Sequence, residues 1–506
     1  MIPAGWRQPR VVLAAVGLVL AALVGTVIAQ RGEVGLDDVF ITYRYAQNLA
    51  EGHGFVFNPG ERVFGTTAPG FGLLLAGLHK VTGIPIPWLG ALCTGLSALV
   101  LGLALFATAR KEGHGLEALG GALLLATTSY LWIHAGSEIP FALALLVLAG
   151  LVVERWPVAA GVLAGFAVWC RPDALLGAGV VGLLEWRARR RLPWRYGVVV
   201  GGVVAVGLAL AWSWFGVPLP STLEAKRIQA SLGTQFWASG FAFWGTAYQS
   251  LYFLVEPAGR FAFFCFGMLG WVPVLRYGGR VGQVLGGTAL VLLVAYPLLG
   301  VPFYTWYSLP VVITLCFGYA FALGLLIRRS FRFFGGSRAA VVVTGLVVLA
   351  VFGLSTWRLA ARGWGGLTHR AHDPRYHFYR EAGEWLAANA RPGDDLAFVE
   401  VGTLAFYSRL PVRDQLGLVT PESLPFLGAR DIVGAFLAKP TAWFLFDERL
   451  GGFTKDVAAE PWFTAAFEEE KRFTSAPLNR TLVMHRRRPE VAIPPPRPPL
   501  RRDSPR

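Results

Sequence analysis

The chain has 506 residues, 54% hydrophobic and only 15% charged, with a mean hydropathy of +0.51. Soluble domains carry about 25% charged residues, so the composition excludes an ordinary soluble fold. The formal net charge is +15, but the arginines and lysines fall in short clusters between apolar runs, which argues against a nucleic-acid surface.

Apolar runs long enough to cross a bilayer core, roughly 20 residues each, recur as far as Trp357. In chain order the sequence predicts spans at 11–29, 86–109, 116–134, 139–153, 157–170, 174–186, 197–215, 260–276, 282–301, 308–327 and 339–357. The first follows Arg7 and Arg10 and has no A-x-A site before Gln30, so an uncleaved helix is expected. Basic clusters at Arg110–Lys111, Arg187 to Arg195, Arg276 with Arg280, and Arg328 to Arg338 then all fall on the N-terminal side. That is the positive-inside pattern. The expected class is a polytopic α-helical membrane protein of about 11 spans.

Between the first two spans lies an external loop, residues 30–85. Its apolar stretch Ala68 to Val81 is short, and a crossing there would put the later basic clusters outside, so it is expected to lie against the outer face. The halves 157–170 and 174–186 are joined by Arg171-Pro172-Asp173, where proline interrupts the helix. Interrupted membrane helices line protein or wet cavities, so Arg171 and Asp173 are expected at a cavity. The other external segments are Gly136 to Glu138, Gly216 to about Arg260, and Val301 to Tyr307.

From Arg358 the composition becomes that of a soluble domain. Tyr376 to Ala390 has helical spacing, whereas Asp394 to Tyr407, Thr441 to Phe446 and Arg480 to Met484 read as strands. The predicted organisation is a membrane unit, 1–357, an external α/β domain, 358–485, and a disordered Pro/Arg-rich tail, 486–506. Cys93, Cys170, Cys265 and Cys316 sit in apolar runs and read as small hydrophobes without a disulfide framework.

Asp37 and Asp38 carry the most chemistry. Two adjacent carboxylates at a membrane rim are costly and need a reason to be there. On a helix from Asp37 to Leu49, Asp37 shares a face with Ile41, Arg44 and Asn48, and Asp38 with Thr42 and Tyr45. Arg44 would keep at least one acid ionised, and either could take a proton from a hydroxyl. A helix N-cap accounts equally for one such Asp, less well for both. Lys226 reads as a cation for a lipid-linked phosphate, with snorkelling to headgroups as the alternative. Tyr304 and Tyr307 are candidates for phosphate or sugar contacts against an aromatic-belt reading, and Glu138 a lone carboxylate whose bland role is helix capping. His53 lies in a glycine turn, where a solvated loop histidine is the plain reading. No histidine cluster marks a metal, but Asp and Glu can hold Mg, Mn or Ca with a substrate phosphate.

The run Asp37 to Pro69 resembles the first external loop of the GT-C superfamily of membrane glycosyltransferases. The likeness is to actinobacterial terminal arabinofuranosyltransferases and bacterial mannosyltransferase-like proteins. Asp37, Asp38, Ile41, Arg44, Tyr45, Asn48, Leu49, Gly52 to Gly54, Phe57 to Val63, Gly65, Thr67 and Pro69 match. Gly136-Ser137-Glu138, Arg171-Pro172-Asp173, Pro220 to Lys226 and Gly402…Tyr407…Asp414…Gly417-Leu418 extend it. Phe64, Ala68 and Phe71 depart from it. The resemblance implies transfer of arabinofuranose, mannose or a similar sugar from a polyprenyl-phosphate donor to a glycan, glycolipid or protein on the external face, with inversion. It places the catalytic role on Asp37 or Asp38. The donor is expected near Arg44, Glu138, Arg171, Asp173, Lys226, Tyr304 and Tyr307, and the acceptor near Asn48, His53 and Asp414. A lipid-linked glycan flippase is the alternative, although the charges concentrate on one rim instead of along a path through the bilayer.

Overall fold

A computed structural model describes residues 9–33, 35–232, 237–251, 257–333, 337, 342–343, 373 and 375–499. Five described helices are long and apolar enough to cross a membrane: Arg10–Gln30, Ile86–Glu112, Trp194–Phe215, Gly279–Leu298 and Thr305–Ser330. Shorter apolar helices, Gly115–Thr127, Glu138–Val152 and Pro157–Cys170, fill the bundle between them. The span expected at 116–134 is broken after Thr127 into a second short helix, Ser129–Ile133, and that at 260–276 is broken at Gly270. A side chain at Gly270 would collide with the backbone of Gly318, so the chain turns where two helices touch. The span expected at 339–357 lies outside the described residues, apart from two positions.

The basic clusters meet at one end of the bundle. Arg328 contacts Glu117 and the Gly113 carbonyl, the Thr108 hydroxyl donates to the Gly278 carbonyl, and Arg280 and Arg189 share Glu185. The external loop closes the other end. As expected, its apolar stretch forms the 14-residue helix Pro69–Thr82, packed on the helices that begin at Ile86 and Pro157.

The Val39–Ala50 helix departs from the expected surface helix because it is buried nearly all round. Phe40, Tyr43 and Ala46 join the core of the membrane helices, while Ile41 and Tyr45 join the core of the terminal domain. It is the joint between the two units. Tyr43 fits because Gly90 and Gly136 have no side chains: a methyl at either would strike its hydroxyl.

The terminal domain is a five-stranded sheet with order β2-β1-β3-β5-β4. Its strands are β1 (Leu396–Ala397), β2 (Val412–Arg413), β3 (Trp443–Asp447), β4 (Phe467–Ser475) and β5 (Arg480–Arg487). β1 is parallel to β2 and β3, and β5 is antiparallel to β3 and β4. The helix Arg375–Asn389 lies where its apolar spacing put it. The strand expected over 394–407 shrinks to β1, and Thr403–Ser408 is a helix instead. Its apolar residues Leu404, Ala405 and Phe406 are buried by either geometry, so composition could not separate the two. The expected tail from Arg486 also differs. β5 runs to Arg487, Val491 and Ile493 pack on the domain, and Arg497 forms an ion pair with Asp431. Residues 500–506 lie outside the described residues.

Candidate active site

The two adjacent aspartates have separate fates. Asp37 is 2% exposed, and its carboxylate accepts the backbone N–H groups of Thr403 (2.8 Å) and Gly402 (3.2 Å). It caps the Thr403–Ser408 helix of the terminal domain, across 366 positions of sequence. The approach requires glycine at 402, where a methyl would collide with the Asp37 carbonyl. Burial pushes the Asp37 pKa up, against the pull of Arg375 and the Thr403 N–H.

Asp38 begins its own helix but makes no side-chain capping bond, and among the described residues its carboxylate has no hydrogen-bond or ion-pair partner. It lines a cleft that Asp37 does not line. Water reaches the carboxylate there. Protein packed around the cleft still strips much of its hydration and, with Asp37 nearby, raises its pKa to about 6; Arg375 and Lys226 partly offset the rise.

The cleft has two chambers. The inner one, about 90 Å3, is lined by Asp38, Thr66, Glu138, Arg171, Lys226 and Tyr304 among others. The outer one, about 480 Å3, runs beneath the terminal domain past Asp38, Tyr304, Arg375 and Glu400. Asp38, Tyr304, Trp306 and Leu418 belong to both walls. Asp38 is therefore the carboxylate at the junction.

Arg171 donates to Glu138 (2.6 Å) and Asp173 (2.9 Å), and Asp173 also accepts the Tyr296 hydroxyl (2.6 Å). The sequence-predicted trio thus forms one ion network, of which Glu138 and Arg171 line the inner chamber. Lys226 differs: its ammonium donates to the Tyr307 hydroxyl (3.1 Å) and sits near the Tyr304 and Tyr307 rings. Among the described residues no carboxylate is in ion-pair contact with it. It is available to an incoming anion. The Lys226 helix, Ser221–Ser231, is pinned by Ser221, whose N–H donates to the Phe64 carbonyl and whose hydroxyl reaches the Leu418 carbonyl. Phe64, a departure from the family pattern, stacks on Phe215 with centroids 4.6 Å apart.

Four predicted site residues are elsewhere. Arg44 is 2% exposed and spends its guanidinium on the carbonyls of Phe57 and Arg409. Asn48 donates to the Val56 and Phe57 carbonyls, shaping the loop. His53 is exposed beside Glu51, away from both chambers. Asp414 is buried and accepts the N–H groups of Leu416, Leu418 and Val419, so it folds the turn whose leucines line the chambers. Burial raises its pKa to about 7.

Sequence reasoning missed Asp373, Arg375 and Glu400. Arg375 donates to Asp373 (2.7 Å) and to both oxygens of Glu400 (2.7 and 2.6 Å), and Asp373 accepts the Asp37 N–H (3.3 Å). The one local signal was Glu400, a carboxylate inside the apolar run Leu396 to Val401. Among the described residues no group of three or more His, Cys, Asp or Glu is placed to hold a metal.

The chain is similar in fold to ArnT from Cupriavidus metallidurans. The apo structure aligns with a TM-score of 0.54 at 16% identity, over 95% of this chain and 98% of that one. The structure bound to undecaprenyl phosphate aligns at 0.54 and 17%, over 97% and 99%. The likeness to ArnT is one of fold over nearly the whole of both chains. Arabinosyltransferase EmbB from Mycobacterium smegmatis aligns at a TM-score of 0.40 and 14% identity, over 94% of this chain and 46% of that one. Residues 368–493 match the model of a domain of unknown function, DUF8728. No curated protein matches the sequence.

Proposed function

We propose that the chain is a membrane glycosyltransferase that moves a sugar from a polyprenyl-phosphate donor to a cell-envelope acceptor on the outer face of a bacterial plasma membrane, with Asp38 as general base. The observation that carries this reading is the unpaired Asp38 carboxylate at the junction of two chambers, beside a lysine free of carboxylate partners. A protein of the same fold, ArnT, binds undecaprenyl phosphate. The outer-face assignment is supported by the basic clusters at the opposite end of the bundle.

The donor phosphate lies in the inner chamber against Lys226. With a pKa of about 6, Asp38 is mostly ionised at neutral pH yet basic enough to accept a proton from the acceptor hydroxyl. The acceptor oxygen forms a bond to the anomeric carbon as the bond from that carbon to the phosphate oxygen breaks. The electron pair leaves with polyprenyl phosphate, whose charge Lys226 stabilises. A single displacement of this kind inverts the anomeric centre. Asp37 positions the junction by fastening the terminal domain.

Purified protein in lipid, given radiolabelled polyprenyl-phosphate arabinose, mannose, glucose or galactose, tests the reading. Each donor is followed with and without an envelope-lipid extract, and with EDTA to probe a divalent cation. Consumption of one donor, lost in Asp38→Asn, is expected. A donor that binds without consumption under any acceptor would replace the enzyme with the flippase.

A further inference from the structure

We infer that the outer chamber, walled largely by the domain of unknown function, is the seat of a neutral saccharide unit of the acceptor, read by Glu400 and by the rings of Trp237, Trp306 and Phe453. The inference rests on the transferase reading for the word acceptor, but its site and ligand class stand on their own observations.

The chamber's volume, about 480 Å3, falls within the range of small-molecule sites. Its polar and apolar groups suit a sugar ring, which presents C–H faces and hydroxyl edges. Trp306 stacks on Tyr304 with centroids 4.5 Å apart, and Trp237 lies 6.0 Å from Phe453, so rigid aromatic surfaces are offered at little entropic cost. Among the charged lining groups, Asp38 and Glu400 balance Arg375 and Arg449, so the wall offers no net formal charge to an ionic ligand. Both Glu400 oxygens already accept from Arg375, and Arg375 is fixed by Asp373. Each oxygen keeps a further lone pair for a hydroxyl. A carboxylate held this rigidly by Arg375 presents those lone pairs in fixed directions, which favours a hydroxyl placed to meet them.

The probes are methyl glycosides of arabinofuranose, mannose, galactofuranose and glucose and their disaccharides, with full-length protein in nanodiscs. Saturation-transfer NMR reads binding, and undecaprenyl phosphate serves as competitor. At least one saccharide is expected to bind saturably, to weaken tenfold or more in Glu400→Gln and in Trp237→Ala, and to be undisturbed by undecaprenyl phosphate. Retained undecaprenyl-phosphate binding by the variants shows that they are folded; Phe453→Leu replaces Trp237→Ala if the latter fails this check. The inference is overturned if no saccharide binds, if binding survives the substitutions, or if the lipid phosphate displaces it. If wild-type protein binds saccharide but no lipid phosphate, the transferase reading fails and the saccharide site remains.

Discussion

The two ends of the helix bundle differ in one carboxylate. At the basic end, Glu117 and Glu185 are 5% and 3% exposed, and each is neutralised by arginine: Arg328 at 2.7 Å for Glu117, Arg189 and Arg280 at 2.5 and 2.7 Å for Glu185. At the other end, Glu138 and Asp173 are likewise spent on Arg171, and Asp37 on two backbone N–H groups. Asp38 alone among these acids faces a cavity without a partner. Burial therefore does not mark the reactive group here. A carboxylate without a protein partner beside a cavity does.

The largest effect that tests this contrast is expected from Asp38→Asn. Loss of a general base costs about 10²–10⁴ in rate, so transfer should fall by that much while undecaprenyl-phosphate binding persists. The folded pKa of Asp38 lies above its ordinary value, so the ionised group costs stability at pH above about 6 and none well below the ordinary value of 3.8. The Asn variant should thus melt no lower than wild type at pH 7.5. By the same pKa, kcat/KM should decline on the acid side with a midpoint near pH 6. A flat profile between pH 5 and 7 would remove Asp38 from the role.

Lys226→Met comes next. A hydrogen bond to a charged group contributes about 1.5–3 kcal/mol, so donor affinity should weaken by about tenfold or more. An unchanged donor Kd would move the phosphate elsewhere.

Asp37→Ala should act through stability. It orphans two buried N–H groups, at about 1–3 kcal/mol each, and limited proteolysis should release the terminal domain earlier. Equal resistance to protease would show that the Asp37 latch is dispensable. The smallest effect is expected at the basic end. Arg280→Gln leaves Glu185 its Arg189 partner, so a loss of stability of about 1.5–3 kcal/mol is expected for the bond to the buried carboxylate, with transfer within twofold of wild type. A large loss of transfer there would dissolve the contrast between the ends.

Part of the site was legible in the residues. The Arg171-Pro172-Asp173 break, Glu138, Lys226, Tyr304 and Tyr307 do converge at one end. Arg44, Asn48 and Asp414 misled because a polar residue that ties down backbone looks in sequence like one that binds a ligand. Arg375 and Glu400 were silent because their meaning depends on a domain that folds back over the first loop.

The sequence by itself determined the membrane class, the basic end, the interrupted helices and the pair Asp37-Asp38, because hydropathy, charge and proline act locally along the chain. Only the tertiary structure decided which aspartate is free. The partners that claim Asp37 lie 365 and 366 positions away, on a domain whose docking no local pattern encodes.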